Sequence, residues 1–419
     1  MGIKCLNLSK LFFAVYLLYT YVFRQALSLP RMISYLLLPA AVICFLLYRP
    51  ELKMDFFSGS LILYLVYSVI ISLILSKDTV TMLKACKDLA LYTVVFCLTF
   101  EYSIEDKSID FAGKVLILWA LSYAAMILFF GVSFGSGGQK ASIAEDFNSN
   151  SISRIMVFAI GYKLYRFTKE KRSLPQSVLS IVEIVLFLYI VTVTVSKMAI
   201  ICSLLLIVLW LLFCSVRADR SSILKKTVIL LAVAAAAGLL FSFFKSHFSN
   251  QYAYLLLRMS GLTGGGSSIR RLSLIREGLA VFSEHPLFGV GLAQFSFYSV
   301  FSAYSHCSYT EILSCTGTVG ALLFFSPMVL LFINLIGIAK TSDGIQRKQA
   351  LSVLFMYMML VIVMIVQIII YSQYLMFLLA MIDAAVYTDL EFSDADLPLH
   401  RAYELPFEGE IHAKKENTD

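Results

Sequence analysis

The stretch FFSGSLILYLVYSVIISLILS, Phe56 to Ser76, is 21 residues long and carries no charge. A bilayer's hydrocarbon core is about 30 Å thick, and about 20 apolar residues in a helix cross it. The stretch therefore predicts a transmembrane helix, and its pattern recurs along the chain. Apolar runs predict helices at about 11–28, 31–48, 56–76, 84–100, 111–133, 151–167, 177–195, 198–216, 227–245, 316–339, 350–370 and 373–387. The expected fold class is all-α: a polytopic membrane protein of about 12 transmembrane helices. Of the 419 residues, 59% are hydrophobic and 15% charged, against about 45–50% and about 25% in soluble chains. That balance excludes a water-soluble enzyme and a disordered chain. The first run follows Lys4 and Lys10 in the manner of a signal peptide. With eleven further runs behind it, an uncleaved first helix is expected.

Charge sets the expected orientation. The formal net charge is +7, yet residues 389–419 carry nine acids and three bases, which leaves +13 on the remainder. Basic residues cluster between runs: Lys163, Arg166, Lys169, Lys171 and Arg172; Arg217, Arg220, Lys225 and Lys226; Lys340, Arg347 and Lys348. The positive-inside rule puts these clusters and both termini in the cytoplasm and turns segments 134–150 and 246–308 outward. The expected organisation is a membrane domain, 1–387, which includes a long extracytoplasmic loop at 246–308, followed by an acidic cytoplasmic tail, 388–419. The basic excess signals topology and contact with anionic membrane lipids; no nucleic acid partner is expected.

Loops beyond about 12–15 residues usually carry function or are disordered, and 246–308 is far longer than that. Within it, Ile269, Leu272, Ile275, Leu279 and Phe282 recur at helical spacing, so 268–284 predicts an amphipathic helix with Arg270, Arg271 and Arg276 off its apolar stripe. His285-Pro-Leu-Phe-Gly-Val-Gly291 reads as a turn. Tyr304-Ser-His306-Cys-Ser-Tyr309-Thr-Glu311 runs into the next span. If a helix begins at 306, then His306, Tyr309, Thr310 and Leu313 share a face. An imidazole there suits removal of a proton from a hydroxyl; the other reading is an interfacial histidine that caps a helix. Arg258, Arg270, Arg271, Arg276 and Lys197 form a set of outward cations. They suit a polyanion such as a lipid pyrophosphate, or simple snorkelling to phospholipid.

Cysteine chemistry is sparse. No CxxC exists, and Cys44, Cys97, Cys202 and Cys214 lie inside apolar runs as small hydrophobes. Cys307 and Cys315 fall near one membrane surface, which leaves a disulfide between them open. Gly289-Val-Gly291 and Gly264-Gly-Gly lack the strand–helix context of a nucleotide cradle, and Asp394-Ala-Asp396 sits in the acidic tail.

Several pieces of the outward loop together resemble the O-antigen ligase/polymerase family. They are Ile269-Arg-Arg271 through Gly278, Pro286-x-x-Gly289-x-Gly291, His306-Cys-Ser-Tyr309-Thr-Glu311 and Gly317-x-x-Gly320. Ser196-Lys197 resembles that family's Ser-Arg at the start of a span, and Asp146-Phe-Asn148 its Asp-x-Asn. Cys307 stands where the family has Asn, and Lys197 where it has Arg. The resemblance implies an all-helical enzyme similar to C-type glycosyltransferases, working in the bacterial cytoplasmic (inner) membrane with no cofactor, no metal and no nucleotide sugar. It implies a polyprenyl-diphosphate-linked oligosaccharide donor and a glycan or lipid A-core acceptor, with a flippase and a chain-length regulator as partners. On that resemblance His306, Arg271 and Glu311 are the expected catalytic residues, with Arg270, Arg276, Lys197, Tyr309 and Asn148 binding substrate. A polysaccharide polymerase is the favoured reading, an O-antigen ligase the alternative. A lipid-linked-glycan transporter is the rival from another class.

Overall fold

The computed structural model describes residues 2–23, 30, 32–129, 133–134, 141–142, 149–169, 173–214 and 265–390, with isolated positions between 238 and 253. Among these, twelve α-helices form the chain's framework: α1 (Gly2–Leu18, continued by a π-turn at Tyr19–Phe23), α2 (Met32–Tyr48), α3 (Phe56–Leu75), α4 (Thr79–Asp106), α5 (Asp110–Phe129), α6 (Ser149–Lys169), α7 (Leu174–Val193), α8 (Lys197–Phe213), α9 (Gly265–Glu284), α10 (Ser308–Thr341), α11 (Gly344–Val363) and α12 (Gln373–Thr388). A two-residue antiparallel pair, β1 (Ser133–Phe134) with β2 (Ala141–Ser142), follows α5. The all-α expectation holds. Five helices, α3, α5, α7, α10 and α11, are both long and apolar enough to cross a membrane, and α2, α8 and α12 are shorter apolar helices. The expected span at 227–245, the loop up to 264 and the tail beyond 390 lie outside the described residues.

Local chemistry explains where the helices start. Asp55 caps α3 by accepting from Phe57 N at 3.0 Å and Ser58 N at 2.9 Å. Asp78 caps α4 through Thr81 N at 2.9 Å. Side-chain acceptors at these ends satisfy amides that have no partner within the helix. α12 buries 15 of its 16 residues, which makes it the bundle's axis; a helix apolar all round belongs inside. α4 and α10 pack against it, as does α11. Asp389, counted above with the acidic tail, still belongs to this packing. It accepts from Ile109 N at 3.2 Å and pairs with Lys169 at 2.6 Å.

One expectation needs correction. The helix expected at 316–339 begins at Ser308 and is broken at Gly317, whose backbone is left-handed (φ 65°, ψ −167°). The loop helix α9 forms as expected; of its apolar stripe Ile269, Leu272 and Leu279 are exposed and Ile275 and Phe282 half-buried, while Leu274, Gly278 and Val281 are buried. In a membrane protein an apolar stripe can face lipid as readily as core.

Connections alternate, so the bundle has two ends. One, the loop end, gathers residues 285–307 with the last turns of α3 and α11 and the first turns of α4, α6, α10 and α12. The opposite end gathers Lys10 with Asp106, Arg49 with Glu105 and Lys169 with Asp389.

Candidate functional site

The site is built on a break in α10. The Pro286–Gly291 turn wedges against it and ties off the carbonyls and amides that the kink exposes. Val290 N donates to Ser314 O at 3.0 Å and Gly291 N to Cys315 O at 2.8 Å, while Thr318 N donates to Pro286 O at 2.8 Å. The fit is backbone on backbone. A Cβ on Gly317 would stand 2.3 Å from Leu287 O, and one on Gly289 would stand 2.4 Å from the Cys315 carbonyl carbon. Both glycines also have positive φ, where a side chain is strained. The Pro-x-x-Gly-x-Gly and Gly-x-x-Gly pieces are therefore two halves of one joint. Gln294, fully buried, extends the joint by accepting from Lys77 N at 2.9 Å and Asp78 N at 3.0 Å.

His306 sits just before the helix, not in it. α10 is preceded by Cys307 as its cap residue, and His306 has a left-handed backbone (φ 59°). The shared face expected for His306, Tyr309, Thr310 and Leu313 does not form, because the chain turns between 306 and 308. A non-glycine residue with positive φ persists only where its surroundings hold it there. Here they do. Ser305 N donates to Glu311 Oε2 at 2.8 Å, Ser305 Oγ to Cys307 O at 2.9 Å, and Ser308 Oγ to Gln367 O at 2.6 Å. The His306 ring is half-buried and lies 4.2 Å, centroid to centroid, from the ring of Tyr304.

Burial first, then the charges of Arg271, Arg270 and Arg154, hold the His306 imidazole below its ordinary value of 6.5. Burial disfavours the charged form, and nearby cations disfavour it further. The ring is thus a neutral proton acceptor at physiological pH. Arg271 lies on the protein-facing side of α9, one turn before Leu274. Arg270 is exposed, stands 5.2 Å from the Phe301 ring and donates to Phe301 O at 3.5 Å. Arg276 is exposed and is not among the charges that act on His306.

Arg154 was not among the residues picked out from the sequence. It lies five residues into α6, is 4% exposed, and donates to Gln367 Oε1 at 2.7 Å and Tyr374 OH at 3.0 Å. Its Nε has no hydrogen-bond partner. The signal was available: an ionisable residue inside an apolar run is a functional candidate by default. Gln367 links it to the histidine turn, since Ser308 Oγ bonds the Gln367 carbonyl.

The other expected residues fall in different places. Glu311 is 1% exposed and holds the loop backbone at Ser305, with Cys315 Sγ at 3.7 Å from its Oε1. The Tyr309 hydroxyl is occupied by Val361 O at 3.0 Å, and its ring stacks on Phe325. Lys197 opens α8, which packs against α6. Asn148 and Arg258 lie outside the described residues. Cys307 and Cys315 are both buried free thiols, so the disulfide left open above does not form.

The arrangement is a neutral base beside cations, at one end of an apolar bundle. A family model described as O-antigen ligase matches residues 183–325, which run from α7 through the Pro–Gly turn and His306 into α10. No curated protein matches the chain. Arg154, Gln367 and Tyr374 lie outside the matched segment but fold onto it.

Proposed function

We propose that this multi-pass membrane protein, whose residues 183–325 form an O-antigen ligase family domain, polymerises polyprenyl-diphosphate-linked oligosaccharide repeat units. The family's members are membrane glycosyltransferases that act on lipid-linked glycans. In this reading the loop end faces outward from the cytoplasmic membrane and both termini face inward, as the basic segments ask. This reading takes the protein to have about 12 spans, in the manner of a C-type glycosyltransferase. The observation that carries the reading is the His306 imidazole, kept neutral by burial and by Arg271, Arg270 and Arg154.

The chemistry follows from those parts. An acceptor hydroxyl oxygen attacks the anomeric carbon of the donor. The bond from that carbon to the diphosphate oxygen breaks, and the diphosphate leaves with the electron pair. His306 takes the hydroxyl proton and later releases it to water. Negative charge grows on the leaving diphosphate, and pre-positioned guanidinium groups stabilise charge that develops only in the transition state. In this reading Arg271 meets it, supported by Arg270 and Arg154, with Lys197 as a further cation. Glu311 acts as a positioning residue through the Ser305 amide. The same reading keeps Arg276 and Tyr309 as glycan-binding residues. No metal is needed for these steps, so a chelator is expected to leave turnover unchanged.

A transporter is the rival reading. Transporters build their polar sites near the bilayer midplane. The five charged side chains buried to 4% exposure or less among the described residues, Glu101, Arg154, Glu311, Asp383 and Asp389, each lie within five residues of a helix end. That favours chemistry at a surface. The ligase alternative differs only in its acceptor. Purified protein incubated with lipid-diphosphate oligosaccharide alone separates the two. A ladder of chain lengths supports the polymerase; transfer only after lipid A-core is added supports the ligase; no transfer with either overturns the glycosyltransferase reading.

A further inference from the structure

A polar cavity of about 410 Å³ opens between α1, α2, α4 and the start of α12. Small-molecule sites run from about 300 to 1,000 Å³. Its walls include Tyr16 and Thr20 from α1 and its π-turn, Tyr35 from α2, Lys87 and Asp88 from α4, and Gln373 from α12. Gln373 is 2% exposed, and its side chain and that of Thr20 both interact with the Tyr16 hydroxyl. Polar groups from three elements therefore converge on one wall of the cavity. Lys87 and Asp88 lie about 12–14 Å along α4 from its start, and their side chains are half-exposed to the cavity's surroundings. Ionised groups at such depth in a bundle call for water or a polar ligand. Lys87 Nζ stands 3.2 Å from Asp88 Oδ1 and 5.8 Å from the Tyr35 ring centroid.

The chemistry differs from that at His306. There, cations gather and suit a diphosphate. Here, one cation and one anion cancel, and tyrosine rings, an amide and a hydroxyl complete the wall. Tyrosine faces pack against the C–H faces of a sugar, while amide, carboxylate and hydroxyl groups bond its hydroxyls. Uncharged saccharide fits this lining; a polyanion does not. The two sites are also joined. Gln373 reaches the cavity while its neighbour Tyr374 bonds Arg154 at 3.0 Å.

We infer that this cavity is a second saccharide subsite, which holds an uncharged sugar residue of the glycan while the diphosphate-linked sugar reacts beside His306. The inference rests on the glycosyl-transfer reading for its role in turnover, but not for binding itself. The test uses the full-length protein in nanodiscs and, as probe, the soluble oligosaccharide repeat unit cut from the host's own polysaccharide, free of lipid and phosphate. Binding by wild type, unchanged in His306→Ala and not competed by inorganic pyrophosphate, is expected. Gln373→Ala and Asp88→Asn are expected to weaken it at least tenfold and to raise the acceptor KM with the donor KM held within twofold. Asp88 is half-exposed, so its variant keeps the test alive if Gln373→Ala fails to fold. Several results overturn the inference: no binding by wild type, equal binding by Asp88→Asn, competition by pyrophosphate, or loss of a co-purified phospholipid in the variants with oligosaccharide binding intact. If oligosaccharide binds as described but no acceptor is ever glycosylated, the subsite stands and the transferase reading falls.

Discussion

At the end opposite the loop, Lys169 meets Asp389 at 2.6 Å, Arg49 meets Glu105 at 3.2 Å, and Lys10 pairs with Asp106. At the loop end, Arg154 is held by an amide oxygen at 2.7 Å and a phenol at 3.0 Å, and Arg270 by a carbonyl and a ring. The first set of cations is neutralised by carboxylates and works as a clasp between helices. The second is held in place by neutral groups, so its positive field survives to act on His306 and on any anion that comes near. Two ends of one bundle thus use the same residue types for different purposes, and the partner's charge decides which.

Substitutions can break that contrast. The largest effect is expected from Arg271→Ala or Arg154→Gln, each lowering transfer by about 10²–10³-fold, as loss of one transition-state donor does. The measurement is single-turnover release of the polyprenyl diphosphate, with folded protein quantified by size-exclusion profile. Wild-type rates in both variants would mean that the field at the loop end does no chemistry. Next is Gly317→Ala. The backbone strain costs about 1–3 kcal/mol, before the clash with Leu287 O at 2.3 Å. A lower Tm with lost activity is expected, because the joint that seats the His306 turn no longer closes; a wild-type Tm would show that the break in α10 is not braced by the turn. Lys169→Ala should act the other way round. It leaves Asp389, 2% exposed, without its cation, at a cost of about 3–5 kcal/mol. Tm should fall while turnover per folded molecule stays at the wild-type level, and a fall in turnover would erase the distinction between the ends.

The smallest effect sharpens the electrostatics. The lowered His306 pKa means that the imidazole loses its acceptor role only as pH falls below its ordinary 6.5. Activity should therefore drop on an acid limb centred below that value. Removing one cation by Arg271→Gln should move the limb upward, toward 6.5, in the residual activity. A limb that stays put, or moves down, would separate Arg271 from the histidine.

Much of this was legible beforehand. Helix positions followed from apolar runs because a bilayer accepts little else; α3, expected at 56–76, is Phe56–Leu75. The joint between the Pro–Gly turn and Gly317 was visible as two motifs, though not as one contact, since their docking depends on a kink that composition does not record. The facing of α9 was not legible. Ile269, Leu272 and Leu279 look outward, and the weaker pattern at Arg271, Leu274, Gly278 and Val281 makes the protein side. Arg154 was overlooked because a basic residue one and a half turns inside a helix also looks like a snorkelling side chain. Its role emerges from Gln367 and Tyr374, more than 200 positions further along the chain.

The most direct measurement is chain extension by purified His306→Ala protein given lipid-diphosphate oligosaccharide. The account predicts no ladder, with insertion and Tm unchanged and a loss of about 10²–10⁴-fold, the range of general-base catalysis. A ladder of wild-type length and rate would contradict it.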